Sequence, residues 1–233
     1  MATDSLELRA AYILHRRAYS NTSLLIECMT PDQGRLPLIA KGAMGRDSGG
    51  LQPFVPLLIR WSGRGEVKSL GAYERGAPPL SLSGERLFCG FYINELLLRL
   101  TRREDPQPSL YGLYEATLLQ IAGAVSLEGL LRRFELRLLE ELGYGLNLLL
   151  CDAHGEGCPV RADQWYGFDV ESGPVSPAPR DGVRVSGRTL LALDGGGVLD
   201  ETALREAKGL LRHVLRHYLG ERPLKSRELF IRL

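Results

Sequence analysis

The sequence lacks the signatures of the common nucleotide- and metal-dependent enzymes. It contains no Gly-x-x-x-x-Gly-Lys-Ser/Thr segment, the loop that holds phosphates in many ATPases. Its four histidines form no metalloprotease motif, and cysteine is also scarce, with four in 233 residues. We therefore expect a binding protein without an enzymatic active site rather than an ATPase or a protease.

Long apolar runs and a strong charge of either sign are also missing. No stretch approaches the length that spans a bilayer, and residues 1–7 lack the basic start and apolar core of a signal peptide. These absences predict a cytoplasmic protein with no membrane contact. The formal net charge is only +1, so a DNA-binding surface would require basic residues to be concentrated locally.

Short apolar segments separated by turn residues make up the first part of the chain. Pro31-Asp32-Gln33-Gly34 and Ser62-Gly63-Arg64-Gly65 have the composition of turns. Five short strands in about 75 residues suit a small barrel, and the oligonucleotide-binding (OB) barrel is the five-stranded candidate. The predicted strands are Leu8–Arg17, Ser23–Met29, Arg35–Lys41, Phe54–Trp61 and Glu66–Tyr73.

Helical periodicity follows a break at Gly76-Ala77-Pro78-Pro79. A first helix is predicted up to about Arg103, and Ser109 can cap a second. Ser126 can cap a third, and a last helix is predicted between an Asp200 cap and Gly220.

Residues 151–199 interrupt this helical order. They are rich in glycine and proline, which predicts loops with a short hairpin or two. The expected fold is therefore α+β. It has an OB barrel over residues 1–78 and a mainly helical domain over residues 79–233, with a loop-rich, partly β insertion at about 151–199.

Five motifs of the chain occur in the order and spacing of a known family. They are Leu51-Gln52-Pro53-Phe54, Gly63-Arg64-Gly65-Glu66-Val67-Lys68, Tyr92-Ile93-Asn94-Glu95-Leu96-Leu97, Arg132-Arg133-Phe134-Glu135 followed by Leu142-Gly143-Tyr144-Gly145, and Pro223-Leu224-Lys225-Ser226-Arg227-Glu228-Leu229-Phe230. Together they resemble RecO, a bacterial family of DNA-repair mediators, over about Ala11 to Phe230.

The resemblance implies an N-terminal OB barrel followed by a helical domain. It also implies binding to single- and double-stranded DNA and annealing of complementary strands. The implied partners are RecR and the acidic C-terminal tail of the single-strand-binding protein. With RecR, the family helps the RecA recombinase to load onto DNA coated by that protein. On this basis we expect a nucleoid-associated protein of recombinational repair.

Basic residues in the predicted barrel are interleaved with aromatic ones, as in proteins that bind single strands through phosphates and stacked bases. Lys41, Arg46 and Arg64 lie in or beside glycine-rich segments, where we expect phosphate contacts. Phe54 is expected in the core, whereas Trp61 could either stack a base or join the core. The complete predicted DNA-binding set is Arg35, Lys41, Arg46, Arg60, Arg64, Lys68 and Trp61.

Arg132 and Arg133 are the predicted partner-binding residues. In the family that the chain resembles, the corresponding pair lies near a hydrophobic groove that takes the acidic tail, and a planar guanidinium can hold a carboxylate by two hydrogen bonds. Glu128 and Glu135 stand at helical spacing from Arg132 and can pair with it instead. Arg133 has no carboxylate at such positions.

Cys151 and Cys158 lie close together, with His154 between them. Some members of the family carry a four-cysteine zinc site in this region, and structural zinc sites use four closely spaced ligands. Because no Cys-x-x-Cys pair is present, we expect reduced thiols and neither zinc nor another cofactor. The alternative is a metal-dependent nucleic-acid hydrolase that uses Cys151, His154 and Cys158, which metal analysis would distinguish from a DNA mediator.

Overall fold

A computed structural model describes residues 7–44, 50–123, 126–153, 156–178 and 181–231. The chain packs as two compact units. The first combines residues 1–124 with residues 224–233, and the second comprises residues 125–223. The domain boundary after residue 78 stays a prediction.

The first unit contains a closed five-stranded barrel. Its strands are β1 (Arg9–Ala18), β2 (Leu24–Thr30), β3 (Gly34–Ala40), β4 (Leu57–Ser62) and β5 (Lys68–Arg75). β1 pairs with both β2 and β4, and β3 runs parallel to β5. This arrangement, in the order β1-β2-β3-β5-β4, confirms the predicted barrel.

Branched apolar side chains fill the barrel interior. Ile13, Ile26, Leu38 and Ile59 are fully buried and come from four different strands. Because side chains alternate between the two faces of a strand, the neighbours of these residues point outward. That alternation determines which side chains the barrel can present to a ligand.

The fourth strand begins at Leu57, three residues later than predicted. Phe54 instead adopts a φ of +65° and turns its ring onto Phe91, with 5.3 Å between the ring centroids. Pro56 has no N–H group for a sheet ladder, so the strand starts behind it. Phe54 is buried, which confirms its predicted place in a core.

Three helices belong to the same unit as the barrel: α1 (Gly84–Leu100), α2 (Pro108–Ala122) and α6 (Ser226–Ile231). α2 starts at Pro108, not behind a Ser109 cap, because the fixed φ of proline suits the first helical position. Tyr12, on the outer side of β1, contacts Tyr111 and Tyr114 of α2, with ring centroids 5.8 and 5.4 Å away.

The second unit contains α3 (Leu127–Glu141), α4 (Gly187–Asp194) and α5 (Glu201–Leu219). Ser126 and Asp200 stand at the N-cap positions of α3 and α5 as predicted, but the Ser126 side chain makes no capping hydrogen bond. The Asp200 carboxylate accepts a hydrogen bond from the backbone N–H of Ala203 at 2.8 Å. Gly220 ends α5 with a φ of +71°, a conformation that glycine adopts without strain.

A second sheet occupies much of the predicted insertion. Its strands are β6 (Leu150–Ala153), β7 (Glu156–Pro159), β8 (Trp165–Asp169), β9 (Gly173–Val175) and β10 (Arg184–Ser186), in the order β10-β8-β9-β6-β7. The region is thus more regular than loops with a hairpin or two. The α+β fold class is confirmed. None of the described helices is both long and apolar enough to cross a membrane.

Candidate nucleic-acid interface

The OB face is the outer surface of β2 and β3, on which OB barrels bind oligonucleotides. On β2, Leu25 points outward because Leu24 and Ile26 fill the interior. Its neighbours across the ladders are Arg17 of β1 and Ile39 of β3. Arg17 is exposed and the two apolar side chains are half-buried, so this row presents apolar surface next to a cation.

Two more side chains border this row. Tyr19, in the turn after β1, is 58% exposed, and Lys41, directly after β3, is also exposed. Leu24 pairs with both Ala18 and Ala40, so the end of β1 and the end of β3 flank the same point of β2. The open half of the OB face is the set Arg17, Tyr19, Leu25, Ile39 and Lys41.

The segment of residues 101–105, between α1 and α2, covers the other half of the OB face. The backbone N–H of Glu104 donates to the carbonyl oxygen of Arg35 at 3.0 Å. A Cβ atom on Gly34 would stand 2.0 Å from the carbonyl oxygen of Asp105. Only glycine permits this close approach. The φ of +66° at this position also favours glycine, because other residues rarely adopt it.

Arg35 holds this segment on β3. Its guanidinium donates to the carbonyl oxygen of Thr101 at 2.9 Å and pairs with Glu27 at 3.2 Å. Arg103 pairs with the same carboxylate. Burial lowers the pKa of Arg35, although Glu27 acts in the opposite direction, and an arginine stays charged regardless. We therefore reassign Arg35 from DNA contact to a structural role.

Lys68 is reassigned for a similar reason. Its ammonium pairs with Glu104, and its side chain is only 15% exposed. Arg64 differs, because it is exposed in the loop between β4 and β5 and forms no ion pair within the described residues. It lines an open cleft of about 370 Å³ together with Gly65, Glu66, Arg103 and Glu104.

Trp61 belongs to the barrel core. It is 5% exposed, and the guanidinium of Arg9 lies 5.7 Å from its ring centroid. No open ring face is left for a base, so of the two places predicted for Trp61 the core is the one observed, and we withdraw it from the DNA-binding set. Arg60, its neighbour in β4, is exposed on the outer side of the barrel. Arg46 lies outside the described residues.

Arg132 and Arg133 are adjacent on α3, but only one of them is exposed. Arg132 is buried, with its Nη2 2.7 Å from Glu135 Oε1. Arg133 is exposed and pairs with no described carboxylate. The sequence had left Arg132 open to pairing with Glu128 or Glu135, and the pairing observed is with Glu135. Arg133 is therefore the residue that a partner can reach.

Cys151 and Cys158 oppose each other in the β6–β7 hairpin. Burial raises the pKa of the Cys151 thiol, with Cys158 and Asp152 adding to the shift, and this disfavours the thiolate that binds metals. Among the residues that the structure describes, no group of three or more histidine, cysteine or acidic side chains is placed to hold a metal ion. His154 lies outside that part of the chain.

Comparisons with known proteins match both parts of the chain to one family. The family model described as recombination protein O, N terminal, matches residues 5–76, and the one described as recombination protein O, C terminal, matches residues 81–228. The chain belongs to the RecO family. The N-terminal RecO match covers the barrel, whose last strand ends at Arg75. Membership places the chain in DNA repair and recombination.

Individual RecO proteins are similar over nearly their whole length. The DNA repair protein RecO of Methylococcus capsulatus is 47% identical over 223 residues, which are 94% of this chain and 91% of that protein. The protein of the same name from Nitrosococcus oceani is 45% identical, covering 95% and 92% of the two chains. That of Coxiella burnetii is also 45% identical, covering 97% and 99%.

Sequence reasoning missed Arg17 and Tyr19. Arg17 was included in the first predicted strand, but its face could not be assigned because β1 shifts register between Ile13 and His15. Tyr19 precedes the Ser20-Asn21 turn, and an aromatic residue beside a turn was the available signal.

Proposed function

We propose that this chain binds single-stranded DNA on the open half of the OB face and anneals complementary strands. We further propose that, with RecR, it helps RecA to load onto DNA coated by the single-strand-binding protein, and that it also binds duplex DNA. The observation that carries the proposal is the combination of exposed cations with apolar and aromatic surface on one side of the barrel. The exposed cations can bind phosphates, and bases can stack on the apolar and aromatic surface.

Charge on this side of the barrel is suited to a nucleic-acid backbone. Arg17 and Lys41 pair with no carboxylate among the described residues. Glu27, the acidic residue of β2 and β3, is already neutralised by Arg35 and Arg103. A strand lying across Leu25 and Ile39 would therefore meet unpaired cations and no unpaired anion of β2 or β3.

The proposed activity is not enzymatic and needs no cofactor. Annealing requires that two strands be concentrated and aligned, which binding alone can provide. We propose that the protein acts in the cytoplasm, at the nucleoid. No observation favours the alternative of a metal-dependent hydrolase, since the paired thiols of the β6–β7 hairpin are joined by no third described ligand.

The acidic tail of the single-strand-binding protein is the proposed partner of Arg133. An exposed guanidinium on a rigid helix can bind a carboxylate through two parallel hydrogen bonds. Arg132 is not expected to contact the tail directly, because Glu135 already occupies its guanidinium. Its role would be to fix the helix surface from which Arg133 projects.

An annealing assay tests the proposed function. Complementary oligonucleotides, one carrying a fluorophore and the other a quencher, are mixed with the protein, with and without single-strand-binding protein and with and without ATP. We expect accelerated pairing with and without single-strand-binding protein, and no requirement for ATP. Acceleration that appears only with ATP, or that is absent with naked strands, would overturn the proposal.

A further inference from the structure

One face of α5 is strongly basic. After Glu201 and Thr202 in the first turn, the exposed residues of this 19-residue helix are Gly209 and six others that are all basic. The opposite face is apolar and buried, with Leu211, Val214 and Leu215 fully covered. The α5 basic face is the set Arg205, Lys208, Arg212, His213, Arg216 and His217.

Few carboxylates balance this charge. Glu206, on the same helix, is engaged elsewhere, because its carboxylate accepts hydrogen bonds from Ser186 and Thr189 at the start of α4. Glu128 pairs with Lys208 at 3.0 Å. Hydrogen bonds from Ser172, in its own turn, are the main cause of the lowered pKa of Asp169, and the nearby His213 acts in the same direction.

Arg212 and Arg216 have no acidic partner among the described residues. In a protein whose formal net charge is +1, this concentration of charge is a local feature and not a general excess of basic residues. Local segregation of this kind is typical of a surface that binds a polyanion.

Helix stability accounts for only part of the pattern. Cations in the last turn of a helix are stabilised by its dipole, which explains Arg216 and His217. The dipole effect falls off within one turn, so it does not explain Arg212. It also does not explain Arg205 and Lys208, which lie in the half of the helix nearer its N-terminus.

The spacing of the cations suits a phosphodiester chain. Arg205, Lys208, Arg212 and Arg216 follow one another at intervals of three or four residues, so their side chains form one row along the helix. At a rise of 1.5 Å per residue the row is about 16 Å long. One strand of B-DNA carries a phosphate about every 3.4 Å, so a row of this length spans several phosphates.

The exposed aromatic ring nearest the end of α5 lies off the basic row. Tyr144 stacks on Tyr218 of α5, with ring centroids 4.2 Å apart, and is 42% exposed. Tyr218 follows Arg216 by two residues, so it projects about 200° around the helix from it, toward the apolar face. The row is therefore a set of cations suited to phosphates, and Tyr144 does not belong to it.

We propose that the α5 basic face binds a second DNA strand while the barrel holds the first. This inference rests on the proposed function and extends it, because a protein that anneals must bring two strands together. The ligand is the phosphodiester backbone of single-stranded DNA, recognised with little base discrimination.

A strand-capture experiment tests the inference with the full chain. One oligonucleotide is fixed to a surface and loaded with protein, and a second, non-complementary, labelled oligonucleotide is added at several salt concentrations. The variant is Arg212→Gln/Arg216→Gln. The control, Arg137→Gln/Arg161→Gln, removes the same charge from two exposed arginines of the second unit that pair with Glu140 and Asp163.

We expect the variant to capture about tenfold less of the second strand, as a loss of two charged contacts implies. Its plot of log affinity against log salt should be shallower by about 1.4, since each contact with a single strand contributes about 0.7. The control should behave like the unchanged protein, and binding of the first strand should change little in both.

Other outcomes separate the inference from the function on which it rests. Equal capture by variant and control, in a protein that still anneals, would overturn the α5 site and leave the proposed function intact. Unchanged capture together with weaker binding of the tail peptide would overturn it in favour of a protein-docking surface. If the unchanged protein neither binds nor anneals DNA, the result would contradict the proposed function itself.

Discussion

Asn94 of α1 donates from Nδ2 to the backbone carbonyl oxygen of Leu14 at 2.9 Å. Leu14 lies at the point where β1 shifts register against β2, between Ile13 and His15. Asn94 is 2% exposed, and its Oδ1 accepts a hydrogen bond from the Tyr114 hydroxyl at 2.7 Å. A buried amide thus connects the irregular point of the barrel to both α1 and α2.

Replacing Asn94 should therefore destabilise the barrel and helices together. Asn94→Ala leaves the Leu14 carbonyl and the Tyr114 hydroxyl buried without these partners, and each such group costs about 1–3 kcal/mol. We expect the free energy of unfolding in urea to fall by about 2–4 kcal/mol. Asn21→Ala, in an exposed turn, is the control and should change it little. Equal effects of the two substitutions would contradict this role.

Glu95, the next residue, anchors the C-terminal segment. Its carboxylate accepts hydrogen bonds from the backbone N–H of Lys225 at 3.0 Å and from the backbone N–H and hydroxyl of Ser226 at 2.8 and 2.6 Å. Burial acts to raise the pKa of Glu95, but the bonds from Ser226 and Lys225 and the nearby Arg99 outweigh it, so the pKa is lowered.

A lowered pKa means that the charged carboxylate is favoured in the folded state. Its contribution to stability is complete above the ordinary glutamate value of 4.5 and is lost as the pH falls through the lower folded-state value. Glu95→Gln should lower the free energy of unfolding by about 1 kcal/mol at pH 7. The difference from the unchanged protein should shrink below pH 4.5. Glu74→Gln, exposed on β5, is the matched control; a pH-independent difference would refute the assignment.

The barrel could be predicted from the sequence because its signals are local. Alternating side chains and turn residues located its strands to within a few residues. Phe54 was placed in the fourth strand because an apolar residue beside an apolar run looks the same whether it is extended or turned onto a helix. The insertion was predicted to be partly β but not to contain a five-stranded sheet, because strands such as Gly173–Val175 and Arg184–Ser186 are too short to show a period.

The candidate site was less predictable, since it depends on contacts distant in sequence. Nothing near Arg35 or Lys68 in the sequence indicates that residues 101–105 will bind both of them. Trp61 could be assigned to the core only once its packing among the buried residues of the barrel was known. Arg132 was the exception, because its partner Glu135 is three residues away on the same helix.

Lys41 and Arg64 stay predicted phosphate contacts, and salt dependence can test them. Both are exposed in loops of the barrel and have no acidic partner among the described residues. Each alanine variant should reduce the slope of log affinity against log salt for single strands by about 0.7, with similar losses for different sequences. Arg75→Ala, an exposed arginine at the end of β5, is the control. Unchanged slopes would show that both side chains are merely solvated, and a loss confined to one sequence would indicate base readout.

Substitutions of the two adjacent arginines of α3 should have different effects, one on binding and the other on stability. Arg133→Ala removes an exposed guanidinium, so we expect weaker binding of the acidic tail peptide, by about tenfold, with unchanged stability and little change on naked DNA. Arg132→Ala takes away the guanidinium that pairs with a buried carboxylate, Glu135, and breaking a buried pair costs about 3–5 kcal/mol. Its main effect should therefore appear in urea unfolding.

Arg137→Ala, exposed on the same helix, is the control for both measurements. If Arg133→Ala weakens binding of naked DNA as much as binding of the peptide, Arg133 is a phosphate contact and the tail binds elsewhere.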